Sequence, residues 1–191
     1  WDRSFADQLA GKGFIAIAPD LISNTVEGVK KTGDFETSDA ARQAIYSLEP
    51  DFITTDLMNV LEYARTIEAG NGSIAIAGFC WGGSQSFRFA TNAGNTINAA
   101  FVFYGTGPDA EQAYSNIEVP VYGFYGGDDQ RVNSTIERSE SAMEKFGKTY
   151  KYEIYDGAGH AFMRRVDDPE ATSDYPNVIA RNKSWDRLVT L

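Results

Sequence analysis

Short apolar runs alternate along this chain with stretches of helical periodicity. Residues 14–18 (Phe-Ile-Ala-Ile-Ala), 73–77, 98–104, 119–125 and 150–155 read as strands. Continuous apolar runs mark strands buried on both faces, as in a parallel sheet covered by helices. Between them, residues 1–10 place Trp1, Phe5 and Leu9 on one helical face, and Gly11 and Gly13 end that helix. Residues 22–38 are polar and glycine-containing, a loop. Ser38 to Leu48 reads as a short helix with Ser38 as its cap. Phe52 to Ile67 is amphipathic and stops at Gly70-Asn71-Gly72. Residues 83–93 are helical with Gly94 as the stop, and helices are also expected over 110–116, 134–146 and 178–191. The alternation predicts an α/β fold in one domain over residues 1–191: a mostly parallel sheet with helices on both faces. Trp1 already lies inside the first helix, and a helix entered without a cap points to a segment upstream.

Composition narrows the partners. The chain has 191 residues, 42% hydrophobic and 23% charged, with a formal net charge of −10 and a sequence pI near 4.5. Such an acidic protein is a poor match for nucleic acid or an anionic membrane. An anionic small molecule would need a local arginine pocket. No apolar run approaches the ~20 residues of a membrane-spanning helix. The expectation is a soluble protein, cytoplasmic or periplasmic, of unspecified oligomeric state. A single Cys excludes an internal disulfide. One His, one Cys and scattered carboxylates match no metal-ligand spacing, and no cofactor motif is present.

That single Cys and single His carry the chemistry. Cys80 lies in Gly78-Phe79-Cys80-Trp81-Gly82-Gly83, directly after an apolar strand. Gly-x-Cys-x-Gly between strand and helix is a nucleophile elbow, with the two glycines relieving the crowding of a sharp turn. The following helix N-terminus favours thiolate, and the Trp81 N–H is placed as an oxyanion donor. His160 lies in Gly157-Ala158-Gly159-His160-Ala161-Phe162 after the strand 150–155, the only imidazole available as a base near neutral pH. Asp128 and Asp129 follow the strand 119–125 and compete for the acid that orients the imidazole. All three groups sit past carboxyl ends of strands, where parallel sheets bind ligands. Their order of nucleophile, acid and histidine is that of α/β-hydrolases.

These motifs resemble the dienelactone hydrolase family of α/β-hydrolases. The resemblance rests on Leu9-Ala10-x-x-Gly13 through Pro19-Asp20-Leu21, the Cys80 elbow, Phe103-Tyr104-Gly105, Gly126-x-x-Asp129-x-x-Val132 and Gly159-His160-x-Phe162. It implies Cys80 as nucleophile, Asp129 as acid and His160 as base in the hydrolysis of an ester or lactone through an acyl-thioester. It also implies Arg164 as a binder of substrate carboxylate, Arg42 as a second such arginine, and Tyr104 as a pocket residue. The family places a second oxyanion donor, and a Glu that bonds the resting Cys, before the first helix. The competing expectation is a non-catalytic scaffold of the same fold that binds a small acid or a partner protein.

Overall fold

A computed structural model describes residues 2–164 and 172–191. The chain divides into two compact units, residues 1–72 and 73–191.

The first unit is helical. Helix α1 spans Asp2–Ala10, α2 Ser38–Tyr46 and α3 Pro50–Arg65, with a 3-10 turn at Thr32–Asp34. Phe5 of α1 is buried, and Trp1 lies outside the described residues. The cap of α2 is Thr37 rather than Ser38: Thr37 is extended (φ −140°, ψ 154°) and its Oγ1 accepts the Ala40 N–H at 3.1 Å. Ser38 is already helical, and a cap must sit in non-helical backbone. Helix α3 starts with Pro50 in its first turn, where a missing N–H costs nothing. Asp20 braces the intervening loop by accepting the Thr32 N–H at 2.8 Å and the Thr32 hydroxyl at 2.6 Å.

One predicted element is absent. Residues 14–20 carry no regular secondary structure, and Phe14, Ile15 and Ile17 are 47%, 50% and 38% exposed. An apolar run becomes a strand only where a neighbour accepts its backbone hydrogen bonds. Among the described residues no strand pairs with this one.

The second unit is built on a parallel sheet in the order β1 (Ala75–Phe79), β2 (Ala99–Phe103), β3 (Val121–Gly126), β4 (Tyr150–Tyr155). Helix α4 (Trp81–Ala93) follows β1, a 3-10 segment (Glu111–Asn116) follows β2, α5 (Gln130–Asn133) and α6 (Ile136–Lys145) follow β3, and α7 spans Pro176–Thr190. The helix expected over 134–146 is thus α6, preceded by the short α5, and the one expected over 110–116 is 3-10. Gly94 ends α4 at φ +54°, a conformation that favours glycine.

Side-chain alternation covers both faces of this sheet. On one face Tyr125 packs with Val132 and Ile136, and Tyr150 and Tyr152 pack against that cluster. The Phe87 ring of α4 lies 5.5 Å from that of Tyr150. On the other face Phe124 and Tyr122 meet the Arg187 guanidinium of α7 at 4.4 and 5.9 Å from their ring centroids. Arg187 also donates to the carbonyls of Gly123 (2.7 Å) and Lys151 (3.1 Å), so α7 is tied to two strands at once. Every residue of β2 is buried. The parallel register pairs Phe79 with Phe103, Phe103 with Phe124, and Gly126 with Tyr155. The loops after all four strands therefore leave from one edge.

Candidate active site

Strand β1 reaches Cys80 and the chain turns abruptly into α4. Cys80 has φ 55° and ψ −116°, a region that L-residues other than glycine seldom occupy. Its N–H donates to the Phe103 carbonyl at 3.0 Å and its own carbonyl accepts the Ser84 N–H at 3.1 Å, so the turn is pinned on both sides. A Cβ on Gly78 would overlap the backbone of Gly82, which is why residue 78 must be glycine. Gly82 does not share that role, because a Cβ there would point into open space. The second crowded position is Gly83, where a Cβ would come 2.6 Å from the Phe103 carbonyl and 3.1 Å from Gly105 Cα. Bare backbone at Gly83 and Gly105 lets α4 approach the end of β2.

The turn after β3 and the loop after β4 are stitched together. The Gly127 N–H donates to the Tyr155 carbonyl (2.7 Å) and the Asp128 N–H to the Ala158 carbonyl (2.9 Å). Asn133 donates to the Gly126 carbonyl at 2.8 Å. Asp128 is exposed and contributes its backbone. Asp129 is buried and is the residue preceding α5. Its Oδ1 accepts the Val132 N–H at 3.4 Å, and its Oδ2 lies 2.5 Å from His160 Nδ1. On the other side of the ring, His160 Nε2 lies 3.2 Å from Cys80 Sγ. The structure thus brings Cys80, His160 and Asp129 into one chain of contacts and leaves the Asp128 carboxylate out of it.

The environment favours a charged pair. The His160 hydrogen bond holds the Cys80 thiol below its ordinary value despite burial, aided by the imidazole's charge, the Trp81 backbone N–H and the more distant charge of Arg131. His160 is pushed above the ordinary imidazole value by Cys80, against burial, with Asp129 adding to the effect. Thiolate and imidazolium stabilise each other, the arrangement that activates a cysteine.

Backbone strain gathers here too. Among the described residues, four non-glycine residues have positive φ: Asn24, Cys80, Tyr104 and Ala161. Cys80 is the residue at the turn from β1 into α4, Ala161 adjoins His160, and the buried Tyr104 ring meets the His160 ring edge-on at 5.1 Å. Strain persists where surrounding structure over-determines the backbone, and such residues cluster at functional sites.

The other expected residues are placed differently. Arg164 is exposed, and its N–H closes a turn onto the Ala161 carbonyl at 2.9 Å. Arg42 lies on α2 in the first unit, with its guanidinium 3.2 Å from the Asp39 carboxylate. Two residues near the site escaped sequence reasoning. Arg131 looks like a solvated residue in a polar helix, and only the fold brings its charge to bear on Cys80. Asn177 looks like a helix-start residue after Pro176, yet it is buried and its Oδ1 accepts the Gly159 N–H at 2.9 Å. Among the described residues, no group of three or more His, Cys, Asp or Glu is arranged to hold a metal ion, and no helix is long and apolar enough to cross a membrane.

Known proteins resemble this chain in sequence and fold. Two relatives share the name "Putative carboxymethylenebutenolidase". The one from Methylorubrum extorquens is 29% identical over 170 residues, covering 81% of this chain and 56% of that protein. The one from Saccharolobus solfataricus is 33% identical over 136 residues, covering 70% and 48%. The chain therefore spans about half the length of these relatives. A solved structure from Klebsiella pneumoniae, named with the same qualifier as a dienelactone hydrolase, superposes with a TM-score of 0.79 at 23% identity, covering 98% of this chain and 78% of that one. The shared fold is the α/β-hydrolase fold. The dienelactone hydrolase family profile matches residues 2–191, and the chain belongs to that family.

Proposed function

We propose that the chain hydrolyses carboxylic esters or lactones, with Cys80 as nucleophile, His160 as proton shuttle and Asp129 as the acid that orients it. The observation that carries the reading is the contact chain Cys80 Sγ–His160 Nε2 (3.2 Å) and His160 Nδ1–Asp129 Oδ2 (2.5 Å) beyond the strand ends. It is supported by family membership and by the names of the relatives.

The chemistry runs in two halves. The Cys80 thiolate attacks the carbonyl carbon, and the carbonyl π pair moves to oxygen. The elbow sets the Trp81 N–H to serve that developing oxyanion. Collapse breaks the bond to the leaving oxygen, which takes the proton from His160 Nε2. In a lactone the freed alcohol stays tethered to the acyl group. The acyl thioester on Cys80 is then attacked by water, whose proton passes to His160. The second collapse releases the acid and restores thiolate and imidazolium. Asp129 holds Nδ1–H throughout, fixing the tautomer and stabilising the imidazolium.

The test is turnover of an activated phenyl ester and a panel of lactones by the protein and by Cys80→Ala. Hydrolysis that falls at least about a thousandfold in the variant supports the reading. Equal hydrolysis by both overturns Cys80 as the nucleophile, and none by either across the panel overturns the hydrolase reading and leaves the non-catalytic scaffold.

A further inference from the structure

The loop that carries His160 is gripped from outside the sheet edge by the first turn of α7. Asn177, 4% exposed, spends its side-chain oxygen on the Gly159 N–H at 2.9 Å, one residue before the histidine. Its neighbour Pro176 stands against Gly157: a Cβ there would meet the proline ring carbons at 3.3 Å, and Gly157 holds φ +66°. Immediately after His160, Ala161 sits at φ 63°. The histidine therefore rides on a loop with unusual backbone on both flanks. On the far side, the Ala158 carbonyl is held by the Asp128 N–H. The loop is thus clamped between the Asp129 turn and α7.

A buried amide side chain carries a high desolvation cost unless it is hydrogen-bonded. A small loop or an apolar residue would fill the same space without that cost. Asn177 uses its acceptor to fix the Ala158–Gly159 peptide plane, the one just before the peptide that leads into His160, while the Asp128 N–H holds the carbonyl of the same plane.

We propose that Asn177 is a positioning residue for His160: its hydrogen bond to Gly159 sets the imidazole at thiolate-pairing distance from Cys80. This rests on the Cys80–His160 reading above and extends it to a residue that touches neither group. Asn177 needs only its oxygen for the task, so a carboxylate of the same shape can replace it and a methyl group cannot.

The experiment reads Cys80 directly, without substrate. Iodoacetamide alkylation is followed against pH for the wild type, Asn177→Ala and Asn177→Asp, with near-UV circular dichroism to confirm folding. The Asn177→Ala midpoint should rise by about one pH unit as the imidazole drifts from the sulfur. The Asn177→Asp midpoint should stay near the wild-type value, because an acceptor for the Gly159 N–H is kept. With an ester substrate, Asn177→Ala should lose about tenfold to a hundredfold in kcat with KM nearly unchanged. Asn177→Ser, whose hydroxyl falls short of Gly159, stands in if the alanine variant does not fold, with the same upward shift expected. A folded Ala or Ser variant with the wild-type midpoint overturns the proposal, as does an Asp variant that shifts upward like alanine. Failure of the underlying reading looks different: the wild-type midpoint itself would sit at the ordinary thiol value and Cys80→Ala would hydrolyse normally.

Discussion

Cys80 and His160 stand eighty residues apart in sequence, and their side chains meet at 3.2 Å. Each shifts the other in the direction that charges both: the thiol is lowered and the imidazole raised, with their mutual hydrogen bond the largest cause in each case. The sign fixes the pH behaviour. A lowered thiol keeps its thiolate below the ordinary range and loses it only as pH falls through the lowered value. A raised imidazole keeps its proton above its ordinary range and loses it as pH rises through the raised value. Alkylation of Cys80 should therefore have its midpoint below the ~8.5 of an unperturbed thiol. His160→Ala should move it to that value or above, since burial alone opposes the thiolate. A midpoint unmoved by the substitution would mean the contact does not activate the sulfur.

Asp129 and Asp128 are adjacent and face different tasks. Asp129→Asn can still accept the Val132 N–H that caps α5, so the fold should hold while kcat drops by about a thousandfold or more through loss of the charge beside Nδ1. Asp128→Asn keeps the backbone bond to Ala158 and should change kcat less than about twofold, because its exposed carboxylate takes no part in the chain. Steady-state kinetics with thermal melts of both variants separate the roles. Similar losses in the two would move the acid assignment.

The elbow makes an unequal demand on its glycines. Gly78→Ala drives a methyl group into the Gly82 backbone and should cost more than about 4 kcal/mol, enough to prevent folding or lower Tm steeply. Gly82→Ala meets open space in the first turn of α4 and should leave Tm unchanged or raise it, with at most about 1 kcal/mol gained. Comparable damage from both substitutions would show that the crowding is mutual.

Arg164 closes the turn that begins at Ala161, which places it on the His160 loop of an otherwise acidic protein. Arg164→Ala should raise KM for carboxylate-bearing lactones by about tenfold to a hundredfold and leave neutral esters nearly unaffected. Equal losses on both substrate types would make it a support for the loop, and no loss on either would remove it from substrate recognition.

The residues that read clearly from sequence were those whose chemistry and local backbone coincide. The Cys80 elbow and the strand–turn around Asp129 each follow an apolar run, the loop of His160 follows the tyrosine-rich stretch 150–155, and these strand ends are visible from the pattern alone. Residues 14–18 show the limit. Their apolar run is as strong as that of β1, but a strand is a property of a pair, and periodicity carries no record of the partner. The choice between Asp128 and Asp129 has the same origin. Both are acidic and adjacent, and only the turn of the backbone decides which is buried against the ring. Asn177 was hidden for a further reason: its own helix explains an Asn after a Pro at its start, and the loop it holds lies 18 residues away.

The positive φ of Cys80 has a consequence for how this protein can be altered. Whatever free energy the elbow stores is borne by one side chain's Cβ, so Cys80→Gly would release it, by about 1–3 kcal/mol, while removing the sulfur. The Cys80→Gly protein should then melt higher than the parent. A search that selects for heat resistance alone would drift toward discarding the very atom at the centre of the site, and under the proposed function only selection for turnover would keep cysteine there.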